Sequence, residues 1–176
     1  MISKGKACIT GFAFKRNEMF ILNKTNAMRM LEAAGIPFRT AEYQVDESDL
    51  SGMHVAQQLG QPPEQVFKTL VLKGEKTGYL VCCIPVNEEL DLKKAAKAAK
   101  DKKAEMIPMK DLLSVTGYIR GGCSPVGMKK KFPTFIDETA VLFDEIAVSA
   151  GVRGAQIIIS PDDLCRFVNG VMTELT

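Results

Sequence analysis

Few residues in this chain are suited to chemistry, and the most unusual of them is a lysine. In the run Gln65 to Leu72 (QVFKTLVL) an ammonium stands where a strand-like pattern calls for an apolar residue. Strand side chains alternate between faces, so Lys68 shares a face with Val66, Leu70 and Leu72. Burying an unpaired ammonium costs several kcal/mol, so Lys68 either snorkels to water at a strand end or serves a site. The strand alone leaves both open. A second dense stretch is Thr116 to Lys131 (TGYIRGGCSPVGMKKK), where Gly121 and Gly122 permit close backbone approach and free N–H donors. Lys129, Lys130 and Lys131 follow directly. Taken alone, this stretch is equally a turn with a solvated edge or a phosphate or ester site.

The missing residue types narrow the chemistry. There is one histidine, His54, and no HExxH, CxxC, GxSxG, Walker A or GxGxxG pattern, which disfavours zinc hydrolysis, a serine triad, nucleotide hydrolysis and dinucleotide binding. His54 reads as a helix surface residue. Cys123 sits in the glycine turn but has no histidine near it in sequence to activate it. Five cysteines without CxxC spacing suit reduced thiols in a cytosol, and adjacent Cys82 and Cys83 should face opposite ways, which makes them poor joint metal ligands. What remains is lysine, backbone amides, hydroxyls and glycines. Such a set positions and polarises a substrate better than it abstracts protons.

The elements that must position these residues follow from caps and breakers. The 176 residues, 46% hydrophobic and 25% charged with a net charge of +2, suit one soluble domain whose basic surface is local. No apolar run is long enough to span a membrane, and Lys15, Arg16, Asn17 and Glu18 spoil a secretory signal, so a cytoplasmic protein is expected. Residues 1–23 read as an irregular leader of unassigned role, and the organised domain as 24–176. Thr25 caps a first helix that stops at Gly35; a strand lies within 36–45; Ser51 caps a helix ending at Gly60. The Lys68 run and Tyr79 to Val86 form a central hairpin. Asp91 caps a lysine-rich helix whose Lys93, Lys94 and Lys97 suit a solvated face. A short strand within 102–107 and a helix from Pro108 to Gly117 follow. Strands at 134–136, 145–149 and 155–159 and a last helix from Ser160 complete an α+β domain with a mixed, curved sheet.

At VFKTL, LDLKKAAKA and TGYIRGGCSPVGMKKKFPTFID, the chain resembles the YbaK/EbsC family of free-standing aminoacyl-tRNA deacylases. The similarity runs from about Lys24 to the C-terminus. It implies the α+β fold of the editing domain inserted in bacterial prolyl-tRNA synthetases, a curved or barrel-like mixed sheet flanked by helices, with no metal or cofactor. The implied function is trans-editing: clearing cysteine mischarged on tRNA(Pro), with Cys-tRNA(Cys) a further substrate, through attack by the cysteinyl thiol on its own ester. Alternatives are deacylation of alanine or serine by water, and a non-catalytic adaptor for tRNA or synthetase. The family's essential lysine falls on Lys68, and its substrate contacts on Tyr43, Thr69, Gly121, Gly122 and Ser149. Lys93, Lys94, Lys97 and Lys129 to Lys131 are candidates for acceptor-stem phosphates, and prolyl-tRNA synthetase is the expected protein partner. Departures from the family pattern include Gln156 in place of an aspartate, Ala150 in place of a glycine, and Cys123 in place of an isoleucine.

Overall fold

The computed structural model describes residues 23–176; the expected leader therefore lies outside the described residues apart from Asn23. Helix α1 (Asn26–Ala33) begins where the Thr25 hydroxyl accepts the Met28 N–H and ends before Gly35, whose φ is +68°. Strand β1 (Arg39–Glu42) follows, then α2 (Gly52–Leu59), capped by Ser51 and closed by left-handed Gly60. β2 (Phe67–Gly74) and β3 (Tyr79–Pro85) form the expected antiparallel hairpin, pairing Lys68 with Ile84 and Lys73 with Tyr79. Asp91 caps α3 (Leu92–Ala98) by accepting the Lys93 and Lys94 N–H groups. After β4 (Ala104–Met106), the segment expected to be one helix from Pro108 divides into a 3₁₀ turn, Met109–Asp111, and a short α4 (Leu112–Thr116). The chain closes with β5 (Thr134–Asp137), β6 (Ile146–Ser149), β7 (Ala155–Ile159), α5 (Pro161–Phe167) and β8 (Val171–Thr173). β8 has no counterpart in the sequence reading.

Two sheets result, ordered β4-β2-β3-β5-β8 and β1-β7-β6. A single parallel bridge between Val66 and Ala147 joins them, so the combined surface curls without closing into a barrel. The larger sheet is mixed, since β3–β5 and β5–β8 are parallel. Its faces bury different cores. Phe67, Val71, Val81, Cys83 and Ile136 pack with α1 and the inner face of the second sheet, whereas Leu72, Leu80, Cys82 and Ile84 pack with Ala95 and Ala96 of α3. Cys82 and Cys83 thus do face opposite ways, each fully buried. Among the described residues no helix is long and apolar enough to cross a membrane.

Candidate active site

The gap between the two sheets holds a cavity of about 300 Å³. Val66 and the first part of strand β2, to Val71, form one wall; Tyr43, Leu50, Ser149 and Gln156 come from the smaller sheet and its loops, and Met106, Met109, Arg120, Gly121 and Cys123 line the opposite side. Most of the lining is apolar with a few convergent polar groups, the usual composition of a small-molecule site.

Lys68 leaves β2 half-buried, and its ammonium donates to the backbone carbonyls of Glu88 (2.6 Å) and Val86 (3.4 Å) just beyond β3. Burial lowers its pKa, while the Glu89 and Glu88 carboxylates act in the opposite direction. Lys68 thus reaches past the strand end to backbone carbonyls and also lines the cavity. Thr69 is turned the other way, its hydroxyl 3.9 Å from the Cys83 sulfur. Tyr43 continues β1 by donating its N–H to the Gly154 carbonyl at 2.9 Å. Ser149 is buried, and its hydroxyl oxygen accepts the Gly151 N–H, leaving its own hydrogen free to donate.

The two glycines divide. Gly121 has φ +82° and lines the cavity. Gly122 does not line it, and its N–H is already donated to the Ile119 carbonyl at 3.0 Å. A Cβ on Gly122 would stand 3.1–3.2 Å from the Val152 and Arg153 backbone, so this glycine serves close contact between the loop and the 151–154 turn. Arg153 tightens the same junction, donating to the Arg120 carbonyl and to both oxygens of Glu47.

The lysines divide as well. Lys94 is tied to Glu174 and to the Thr176 carbonyl, its pKa raised chiefly by Glu174, so it fastens the C-terminus to α3. Lys129 extends toward the Ser114 carbonyl at 3.4 Å, near the C-terminal end of α4. Lys93, Lys97, Lys130 and Lys131 are exposed. Lys130 and Lys131 precede β5, which enters the sheet beside Val81, so they belong to the Tyr79 end of the hairpin and not to the Lys68 end.

Two features of the lining escape the motifs. Gln156, 5% exposed and opposite Ser149 across β6 and β7, has a side-chain oxygen without a hydrogen-bond partner. Its only signal in the sequence is the polar interruption of an otherwise apolar strand at the place of the family's aspartate. Met106 and Met109, both exposed, give the rim an apolar ledge that no motif marks. Among the described residues no aspartate, glutamate or histidine lines the cavity. His54 instead lies beside Asp49 and Gln58 on α2. Burial pushes the Cys123 thiol up to about 12, which leaves it protonated and poorly nucleophilic at neutral pH.

The described lining thus offers cationic and hydroxyl groups without a carboxylate or imidazole base. The aminoacyl-tRNA editing domain matches residues 52–167, a span that contains β2 and the glycine loop. The chain belongs to the aminoacyl-tRNA editing domain family. It is 52% identical over 153 residues to EbsC of Enterococcus faecalis, a protein assigned by name to Cys-tRNA(Pro)/Cys-tRNA(Cys) deacylation, covering 87% of this chain and 93% of that one. A proline–tRNA ligase of Fervidobacterium nodosum is 30% identical over 106 residues, which make up 53% of this chain and 18% of the ligase. The solved structure of a candidate trans-editing enzyme for prolyl-tRNA synthetase superposes with a TM-score of 0.74 at 24% identity, over 86% of this chain and 98% of that one; at that identity it shows the editing-domain fold alone.

Proposed function

We propose that this editing domain is a free-standing deacylase that removes cysteine from mischarged tRNA(Pro), and also acts on Cys-tRNA(Cys). The observation that carries the reading is the 52% identity to EbsC along nearly the whole of both chains. The cavity supports it chemically. Ester hydrolysis by water calls for a base, and none of the described lining residues is a carboxylate or an imidazole. A cysteinyl ester brings its own nucleophile. Its sulfur attacks the ester carbonyl carbon, a C–S bond forms, the C–O bond to the terminal ribose breaks, and the thiol proton ends on the departing ribose oxygen. Water then opens the resulting thiolactone to free cysteine. The protein's task is to hold the aminoacyl group in a near-attack geometry and to donate hydrogen bonds to the developing oxyanion.

In this reading Lys68 exchanges its carbonyl partners for the phosphate or ester end of the terminal adenosine. Tyr43 and Ser149 bound the aminoacyl pocket, with Gly121 against the ribose. Lys130, Lys131, Lys93 and Lys97 meet acceptor-stem phosphates, giving affinity that falls with salt and carries little sequence information. Selectivity for tRNA(Pro) comes from association with prolyl-tRNA synthetase, a reading favoured by the likeness to part of a proline–tRNA ligase. A tRNA substrate places the protein in the cytoplasm. Deacylation of a panel of charged tRNAs tests the reading, with cysteine cleared fastest. Clearance of Ala-tRNA(Pro) or Ser-tRNA(Pro) with Cys-tRNA(Pro) left intact would defeat the thiol route, and no clearance at all would leave an adaptor. Equal tRNA selectivity with and without synthetase would remove the partner.

A further inference from the structure

Strand β2 is laddered along its whole length by β3, but its other side is covered only at the ends. β4 pairs with Leu72 to Gly74, and the bridge to β6 is at Val66. Among the described residues no strand pairs with the interval between. Hydrogen-bond parity then says which groups face the opening. Val86 donates to the Val66 carbonyl and Gly74 to that of Gly78, so even-numbered residues of β2 turn their peptide groups toward β3. Odd-numbered residues turn outward, as the bond from the Ile107 N–H to the Val71 carbonyl confirms at 3.2 Å. Thr69 is the outward-facing residue in the middle of the uncovered interval, and it lines the cavity. Its N–H and C=O therefore point into the site with no strand opposite them among the described residues.

An aminoacyl ester carries the complement. It is one residue, with an amino N–H and a carbonyl oxygen, and two directly opposed residues of an antiparallel ladder exchange these same two groups. We infer that the aminoacyl group docks on β2 as a one-residue antiparallel strand: the Thr69 N–H donates to the ester carbonyl oxygen, and the Thr69 C=O accepts from the α-amino group. This inference rests on the deacylase reading and adds main-chain recognition to it. The antiparallel arrangement is the one in which a single strand residue, Thr69, supplies both partners, whereas a parallel residue bonds to two different neighbours. Antiparallel polarity sends the ester oxygen and ribose toward the Lys68 end of the strand and the amine toward Leu70. The aminoacyl side chain then lies on the same face as that of Thr69, where Leu112 and Cys123 line the cavity. The geometry also assigns the oxyanion donor. The Gly122 N–H is occupied by Ile119, whereas the Thr69 N–H is aimed at the position where negative charge develops. Recognition through amine and carbonyl is blind to side-chain identity, so discrimination is left to the cavity walls.

Replacing residue 69 by the α-hydroxy acid analogue of threonine exchanges this one N–H for oxygen and keeps the side chain. With Cys-tRNA(Pro) as substrate, kcat should fall about 10²–10³-fold, the loss typical of one oxyanion donor, with KM within about threefold. Among the described residues no strand pairs with that N–H, and the only ladder group touched is the Lys68 carbonyl, which becomes a weaker ester acceptor toward β3, so the melting temperature should fall only slightly. The same replacement at Leu70, whose N–H faces Cys82 of β3, should lower it more. Unchanged kcat in the residue-69 variant, or a melting temperature lowered as much as by the residue-70 variant, would overturn the inference. Failure of the unmodified chain to deacylate any charged tRNA would overturn the deacylase reading together with it, so the two failures are distinguishable.

Discussion

The two ends of strand β2 are built from similar residues and do different things. At one end Lys73 is exposed and sits opposite Tyr79 and Glu105, with strands on both sides. Its ammonium lies 5.6 Å over the Tyr79 ring, and the hairpin beyond is clamped by Asp101, whose carboxylate accepts the Lys76 and Thr77 N–H groups and the Thr77 hydroxyl. At the other end, about 17 Å away along the strand, Lys68 has β3 on one side and an opening on the other. What sets the Lys68 end apart, among the described residues, is the missing strand, which leaves backbone donors and a half-buried cation facing a cavity without carboxylates.

Removing each cation should give the largest contrast. Lys68→Ala is expected to lower kcat/KM for Cys-tRNA(Pro) by about 10²-fold, the scale of a lost charge-assisted hydrogen bond, with little change in melting temperature; Lys73→Ala should change it less than about twofold. Comparable losses at both ends would erase the distinction. The pH profile sharpens the same contrast. Burial lowers the Lys68 pKa, so its charge, and with it tRNA affinity, should be lost as pH rises at lower pH than for an ordinary lysine near 10.4. KM should climb in that alkaline range, and Lys68→Arg, which keeps its charge, should flatten the climb.

Next in size is the rim. Gly122→Ala places a methyl group 3.1–3.2 Å from main-chain atoms of Val152 and Arg153, which cannot rotate away as a side chain would. The glycine loop should shift from the turn, lowering kcat/KM on the order of tenfold while Lys68 stays in place. Kinetics with wild-type values would mean that the rim gives way without affecting the site.

At the clamped end the effect should fall on stability. Backbone N–H groups of Thr77 and Lys76 hold the Asp101 carboxyl well below the usual carboxylate range. A depressed folded-state pKa gives stability that is present above the unfolded value near 3.9 and lost as pH falls through the folded value. Asp101→Asn should therefore lower the melting temperature by a few degrees at pH 7, and the difference from wild type should shrink in acid. Its kcat at 25 °C should not move.

The smallest effect concerns phosphate contacts. Lys130→Ala and Lys131→Ala should each weaken tRNA binding modestly and reduce the slope of log K against log salt by about one unit or less. Lys94→Ala should leave that slope unchanged and destabilise the C-terminus, because its charge is already matched by Glu174.

Local signals were read from the sequence wherever the chemistry is itself local. Thr25, Ser51, Asp91 and Ser160 each cap the helix that follows through a bond two or three residues away, so the helix starts were legible. The β2–β3 hairpin was legible from two apolar runs around a turn. β8 was not, since three residues carry too little alternation and owe their extended form to the parallel ladder with β5. The glycine pair read as one site feature, and only the packing of the 151–154 turn separated a cavity glycine from a structural one. The same holds for the lysines: Lys94 and Lys97 look alike on α3, and the return of Glu174 is what sets them apart.

By itself, then, the amino-acid sequence determined the class of the molecule: its helix caps, its central hairpin, a lysine on an apolar face, and the motifs shared with the editing-domain family. Those properties depend on neighbours close along the chain. Tertiary structure alone decided that β4 and β6 stop short of one another beside β2. A ladder gap is set by where distant strands end, and no residue within Phe67 to Val71 records it. In the proposed reading, that gap turns a strand lysine and a threonine peptide group into parts of a site.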